Sequence, residues 1–210
     1  MSGFDDLIAG YRRFRDSGWS HERARWQELA AGQSPRVMVI ACSDSRVDPA
    51  QIFDVSPGEM FVVRNVANLV PPFELGGGRH GVSAAVEFAV TQLEVEEIVV
   101  LGHGSCGGIH AALTREFADA APGQGGFIAH WIDLLDEVRD GVVAAHGTGR
   151  DAAYALEHEA LKVSIANLRT FPGIPEREAA GRLTLRGAWF AIAEGELHLL
   201  DPATGTFAPA

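Results

Sequence analysis

Only two cysteines occur in the 210 residues, Cys42 and Cys106. In a reducing compartment a structural disulfide between them is disfavoured. Positive charge is also scarce: 17 Lys and Arg stand against 28 Asp and Glu, a formal net charge of -11. Such a chain lacks the basic surface that nucleic acid demands. No apolar run approaches the roughly 20 residues that span a bilayer. The N-terminus, Met1-Ser2-Gly3-Phe4-Asp5-Asp6, carries early acids and no apolar core of a signal peptide. These absences predict a cytoplasmic protein with no nucleic-acid or membrane partner. Gly76-Gly77-Gly78 is followed by no Lys-Ser/Thr, and Gly102–Gly108 fits no phosphate-binding fingerprint, so a nucleotide-binding domain is a weak reading. There is no internal repeat and no low-complexity linker.

What is present suffices for one sizeable core. Hydrophobic residues make up 47% of the chain, which predicts a single domain over 1–210. Residues 4–16 place Phe4, Leu7, Ile8, Tyr11 and Phe14 on one helical side. A second helix is expected after Ser20 as N-cap, with Trp26 and Leu29 among its apolar members. This arm, residues 1–33, precedes the first core strand. It reads either as a lid on its own subunit or as an arm around a second one.

Three short apolar runs follow, at about 36–42, 61–63 and 97–102. The first and third are rich in β-branched residues, as in buried parallel strands. Asp48-Pro49 opens a short helix, Ser56-Pro57-Gly58 is a turn, and 80–93 is a crossover helix. Beyond Gly107–Leu113, helices are expected at about 127–145 and 152–170, separated from what precedes by the loop Pro122–Gly126. The tail alternates as a strand and hairpin partner around Glu194-Gly195. The rhythm predicts an α/β fold: a mostly parallel central sheet flanked by helices, with an N-terminal helical arm and a C-terminal edge hairpin.

The chemistry gathers at two strand ends. Cys42-Ser43-Asp44-Ser45-Arg46 follows the first run, and His103-Gly104-Ser105-Cys106-Gly107-Gly108 follows the third. Open α/β sheets bind ligands at the carboxyl ends of their strands. Cys42, His103 and Cys106 form a zinc set, one Zn2+ per chain, with a fourth position open to water. The helix starting at Gly107 favours thiolate at Cys106. Asp44 has two possible roles. As a fourth ligand it closes the site. Held by a bidentate pair with Arg46, it leaves the metal and accepts a hydrogen bond from zinc-bound hydroxide. Two thiolates cancel the charge of zinc, so the bound water is expected to be less acidic than in a three-histidine site. Activity should then rise into the alkaline range. Of the other histidines, His80 and His110 lie near the motifs as possible relays. His21, His146, His158 and His198 read as surface residues.

At these residues the sequence resembles the β-class carbonic anhydrases, of the plant-like, constitutively open type. The likeness rests on the two motifs above and on Phe61-Val62-Val63-Arg64-Asn65-Val66-Ala67-Asn68-Leu69-Val70-Pro71-Pro72 between them. It extends to Gln33-Ser34-Pro35 and to Ala85–Val90, and more weakly through Glu157–Pro172 and Leu185–Asp201. The resemblance implies reversible hydration of CO2 to bicarbonate and a proton. It implies Cys42, His103 and Cys106 as zinc ligands and Asp44 with Arg46 as the catalytic pair. It assigns Gln33, Phe61, Val66, Phe88 and the Gly107 backbone to the substrate pocket. It also implies a homodimer or a dimer of dimers, with pocket residues from both subunits. Members with a regulatory bicarbonate site share a Trp-Arg-Tyr trio. Here Arg64 is kept, but Val39 and Phe190 stand at the other two positions, so that site is expected to be absent. Two alternatives share the same ligands: hydrolysis of carbonyl sulfide or carbon disulfide, and a non-catalytic zinc protein closed by Asp44.

Overall fold

The structure is a computed structural model that describes residues 3–76, 78 and 80–210. The expected turn at Gly76-Gly77-Gly78 therefore lies partly outside the described residues. The chain divides into two compact units, Met1–Ser34 and Pro35–Ala210.

The first unit holds α1 (Phe4–Phe14), a π-helical turn (Arg15–Trp19) and α2 (Arg23–Leu29). Phe14 meets Trp26 edge-on at 5.7 Å, which folds the two helices together. Ser20 is not the N-cap that the sequence suggests. Its backbone is helical, and its hydroxyl donates back to the Asp16 carbonyl at 2.8 Å. Ser hydroxyls inside helices take this alternative readily. Glu22 begins α2 instead, with no side-chain cap.

The second unit is a six-stranded sheet. In chain order it runs β1 (Val37–Cys42), α3 (Pro49–Ile52), β2 (Met60–Asn65), a short turn at Val66–Asn68, and α4 (Gly81–Thr91). Then come β3 (Glu97–His103), α5 (Gly107–Thr114), α6 (Gly126–Ile132), α7 (Asp136–His146), α8 (Arg150–Leu168) and α9 (Ile174–Ala179). β4 (Thr184–Ala191), β5 (Glu196–Leu200) and β6 (Phe207–Pro209) close the chain. The strand order is β2-β1-β3-β4-β5-β6. The first three pairings are parallel and the last two antiparallel. This is the mostly parallel sheet with a C-terminal hairpin that the sequence predicts. α9 and β6 are additions, both too short to leave a periodic signal.

β1 and β3 lie between neighbours on both sides, and five of the six β1 residues are buried. Met38, Ile40, Ile98 and Val100 face α4 and the end of α8 and are fully buried there. Each such side chain contributes roughly 1.5–3 kcal/mol. Val39, Ala41 and Leu101 alternate to the other face. A second cluster joins Cys42, Val47, Ala67, Cys106 and Ile109 to α5, α7 and α8 at the carboxyl ends of the strands. The helix expected over 127–145 is two helices, because Asp133–Leu135 tightens into a 3-10 turn. Asp48 caps α3 by accepting the Ala50 N–H at 2.9 Å, with Pro49 at the first helical position. Among the described residues, no helix is long and apolar enough to cross a membrane.

Candidate metal centre

Register decides the meeting of the two motifs. Ala41 pairs with Leu101, so β1 and β3 end side by side and release Cys42 and His103 at the same edge. Cys106 stands just before α5 in extended conformation, turning its thiol back toward that edge. Cys42, His103 and Cys106 are 5%, 1% and 2% exposed. Their ligand atoms lie within 4.8 Å of one another, and the two Sγ atoms are 3.9 Å apart.

This donor set fits a borderline-soft divalent ion. His103 Nδ1 lies 2.9 Å from the Gly104 carbonyl, which only accepts, so Nδ1 carries the proton and Nε2 keeps a free lone pair. Nε2 is buried and has no hydrogen-bond partner, an orphan aimed into the cluster. The thiols act as a pair. The Cys106 thiol beside it pulls Cys42 well down, against burial, with help from the His103 ring and then from the Asp44 and Ala67 N–H groups. The Cys42 sulfur and burial push Cys106 up, against the amides of Ile109 and Gly108. One thiolate forms readily and the second needs a cation. A bound divalent ion meets that need.

Asp44 sits at the mouth. Its Oδ1 accepts the Arg46 N–H and Nε–H, both at 2.9 Å, and Oδ2 accepts Nη2–H at 2.6 Å. The Arg46 guanidinium holds the Asp44 carboxyl well below the usual carboxylate range. Oδ2 is 3.9 Å from His103 Nε2, so the carboxylate borders the ligand set while bound to arginine. Arg46 Nη2 also donates to the Ser105 carbonyl at 3.0 Å.

Arg64 braces the ligand loop from below. It donates to the carbonyls of Cys42 (2.9 Å), Asp44 (2.6 Å) and Val47 (3.1 Å) and to Asp48 Oδ2 at 3.1 Å. All three of its nitrogens are therefore engaged within the chain. The turn at Val66–Asn68 forms the adjoining wall. Ala67 and Asn68 both have positive φ, 62° and 49°, which non-glycine residues seldom adopt. Asn65 pins this turn by exchanging two 2.9 Å bonds with Leu69, and Trp131 Nε1 donates to the Val66 carbonyl at 2.8 Å. Gly108 permits the turn to approach: a Cβ there would meet Val66 Cγ1 at 2.7 Å and Ala67 Cβ at 3.0 Å.

A profile of the carbonic anhydrase family matches residues 37–197. Beta carbonic anhydrase 3 of Arabidopsis thaliana is 34% identical over 96% of this chain and 78% of its own length. The chain belongs to the β-class carbonic anhydrases. Among solved structures, the β-carbonic anhydrase CcaA superposes with a TM-score of 0.90 at 33% identity, covering 99% of this chain and 92% of its own. Tetrameric β-carbonic anhydrases of Sordaria macrospora give 0.81 at 29% identity, over 94% of this chain and 96% of theirs.

Not every residue singled out by sequence joins this β-carbonic anhydrase centre. Val66 and Gly107 lie beside it, with Val66 41% exposed. Phe61 and Phe88 pack with ring centroids 5.8 Å apart and planes tilted by 31°. Phe61 precedes Asn65, the register partner of Cys42, by four residues, or roughly 13 Å along the strand. This pair is therefore remote from its own chain's ligands. Gln33 belongs to the first unit and is exposed. His110 is exposed on α5, and His80 contacts the Gly76 carbonyl at 3.0 Å. His158, expected at the surface, is half-buried, stacked on Phe207 at 4.1 Å and edge-on to Trp189. Sequence reading also missed a buried carboxylate. Glu157 on α8 is 5% exposed, and burial pushes its carboxyl up against the N–H groups of Cys106 and Trp189. Its signal was weak, because an acid in a helix of mixed pattern reads as solvated.

Proposed function

We propose that this β-carbonic anhydrase holds one Zn2+ on Cys42, His103 and Cys106 and hydrates CO2 to bicarbonate and a proton. The observation that carries the reading is the buried, unpartnered Nε2 of His103 facing two thiols within 4.8 Å. A zinc ion on three protein ligands supplies a Lewis acid that makes water nucleophilic near or above neutral pH. The chain's own residues do the rest. Asp44, ionised and acceptor-only, takes a hydrogen bond from the attacking water and aims its lone pair at the carbon of CO2. Arg46 keeps Asp44 charged by engaging both of its oxygens, so in the open form proposed here Asp44 would stay off the metal. Val66 and the Gly107–Gly108 turn give CO2 a wall with few charges, and bicarbonate, being charged, leaves it readily. The proton released goes to solvent or buffer.

We further propose a homodimer or dimer of dimers, in keeping with the tetrameric relatives from Sordaria macrospora. The Phe61–Phe88 pair then serves the partner's pocket. Val39 is buried in the sheet and Arg64 is fully engaged, which supports the absence of a regulatory anion site. Stopped-flow CO2 hydration tests the reading on protein as purified, stripped by chelator, and reloaded with zinc. Hydration that vanishes on stripping and returns with zinc is expected. A stripped protein of undiminished rate would refute the zinc assignment, and a reloaded one active only on carbonyl sulfide would refute the substrate.

A further inference from the structure

Behind the ligand loop, α8 presents a carboxylate to the core. Glu157 shares the inward face of that helix with Ala152, Leu156, Ala160, Leu161 and Ser164, all buried. Burying an acid among them is costly unless every oxygen is satisfied. Glu157 meets that condition. Oε1 accepts the backbone N–H of Cys106 at 3.2 Å, and Oε2 accepts the indole N–H of Trp189 at 3.2 Å. Both partners are donors, so the position requires two acceptors. A glutamine would turn its own NH2 toward one of them.

The loop it holds is not self-supporting. Ser105 lies in the left-handed region at φ 57°, and Gly104 is so close to Trp189 that a Cβ would meet its ring at 3.1 Å. Gly104 N–H reaches the Phe190 carbonyl at 3.0 Å. Arg46 holds the Ser105 carbonyl from the front. Glu157 holds the next peptide N–H, that of Cys106, from behind. A continuous chain thus runs from Asp44 through Arg46 and Ser105 to Cys106, Glu157 and Trp189.

We infer that Glu157 is a positioning residue of the metal centre, fixing the Cys106 thiol through the backbone N–H that it accepts. The inference rests on the Cys42–His103–Cys106 site proposed above. Outer partners of metal ligands typically govern affinity by 10- to 100-fold.

The test uses Co2+ as a spectroscopic stand-in for zinc, because cobalt–thiolate charge-transfer bands report sulfur placement directly. Full-length wild type, Glu157→Gln and Trp189→Phe are stripped and titrated with Co2+ against a chromophoric chelator. Melting of the metal-free proteins is followed alongside. Glu157→Gln should bind about 10- to 100-fold more weakly with a shifted charge-transfer band. Trp189→Phe, which frees one Glu157 oxygen, should shift the band less in the same direction. Should Glu157→Gln fail to fold, the Trp189→Phe band decides, and an unshifted band there overturns the proposal. Wild-type affinity and spectrum in Glu157→Gln, with only a lowered melting temperature, also overturn it, because Glu157 would then serve the fold alone. A wild type that shows no cobalt–thiolate band at all would instead refute the metal site itself.

Discussion

Two adjacent glycines make sharply different predictions. Gly107 and Gly108 open α5 beside Cys106, and a methyl group on each is the perturbation. At Gly107 a Cβ meets nothing within 4 Å. At Gly108 it meets Val66 Cγ1 at 2.7 Å and Ala67 Cβ at 3.0 Å. Carbon pairs rest at about 3.5–4.0 Å, so the second methyl must displace the Val66–Asn68 turn by roughly 0.5–1 Å. The Val66 tip can rotate away, but Ala67 Cβ is fixed to a backbone already held at positive φ. Alanine's helix-propensity gain is common to both variants and cancels in their difference. What remains is the overpacking, about 2 kcal/mol within a usual range of 1–3. For a chain of this size that is about 4–8 °C in melting temperature. Thermal melts of metal-free Gly107→Ala and Gly108→Ala read it directly. Ala67 N–H also faces the Cys42 sulfur, so Gly108→Ala should bind zinc about tenfold more weakly as well. Equal melting temperatures would refute the packing argument.

Other perturbations follow from the same contacts. Asp44→Asn removes the ionised acceptor while leaving the ligands, so kcat/KM for CO2 should fall about 100-fold or more at unchanged zinc content; an undiminished rate would exclude Asp44 from the chemistry. Arg46 holds Asp44 below the usual carboxylate range, so this pair should support stability evenly from pH 5 to 9 and lose its contribution only as acid protonates Asp44 below about pH 4. His158 behaves oppositely to a paired histidine. Burial, with Lys162 and His198 nearby, lowers it to about 4 from 6.5. The folded state then binds fewer protons than the unfolded one, and stability is lost as pH falls from about 6.5 toward 4, by roughly 3 kcal/mol. His158→Phe should flatten that part of the melting-temperature profile, and an unchanged slope would remove His158 as its source. Stripping the metal from protein equilibrated with free zinc at about 1,000 times the dissociation constant should cost about 4 kcal/mol, or about 8–16 °C.

The clustering of Cys42, His103 and Cys106 was legible in the sequence because Cys42 and His103 close apolar runs that read as buried strands, Cys106 follows three residues on, and parallel register brings such strand ends together. Cys42 and His103 needed nothing further. The Asp44–Arg46 pair was legible for a local reason, since a two-residue spacing lets a guanidinium fold back on a carboxylate. Glu157, Trp131 and Asn65 were not legible. Glu157 lies 51 residues from Cys106, and Trp131 lies 65 from Val66. Only the packing of α6 on α5 and of α8 on the sheet joins them. Asn65 acts locally, but its loop is shaped by two left-handed residues, Ala67 and Asn68, that no propensity anticipates. Ser20 and the 127–145 segment misled for the commoner reason that helices bend or tighten without a strong breaker.

The most direct measurement is the pH–rate profile of CO2 hydration, by stopped flow from pH 6 to 9, on protein whose zinc has been quantified. One zinc per chain and a rate climbing with pH are predicted, because two thiolates leave the metal-activated water weakly acidic and Asp44 does not titrate in this range. Zinc at full stoichiometry with no hydration at any pH would contradict the account.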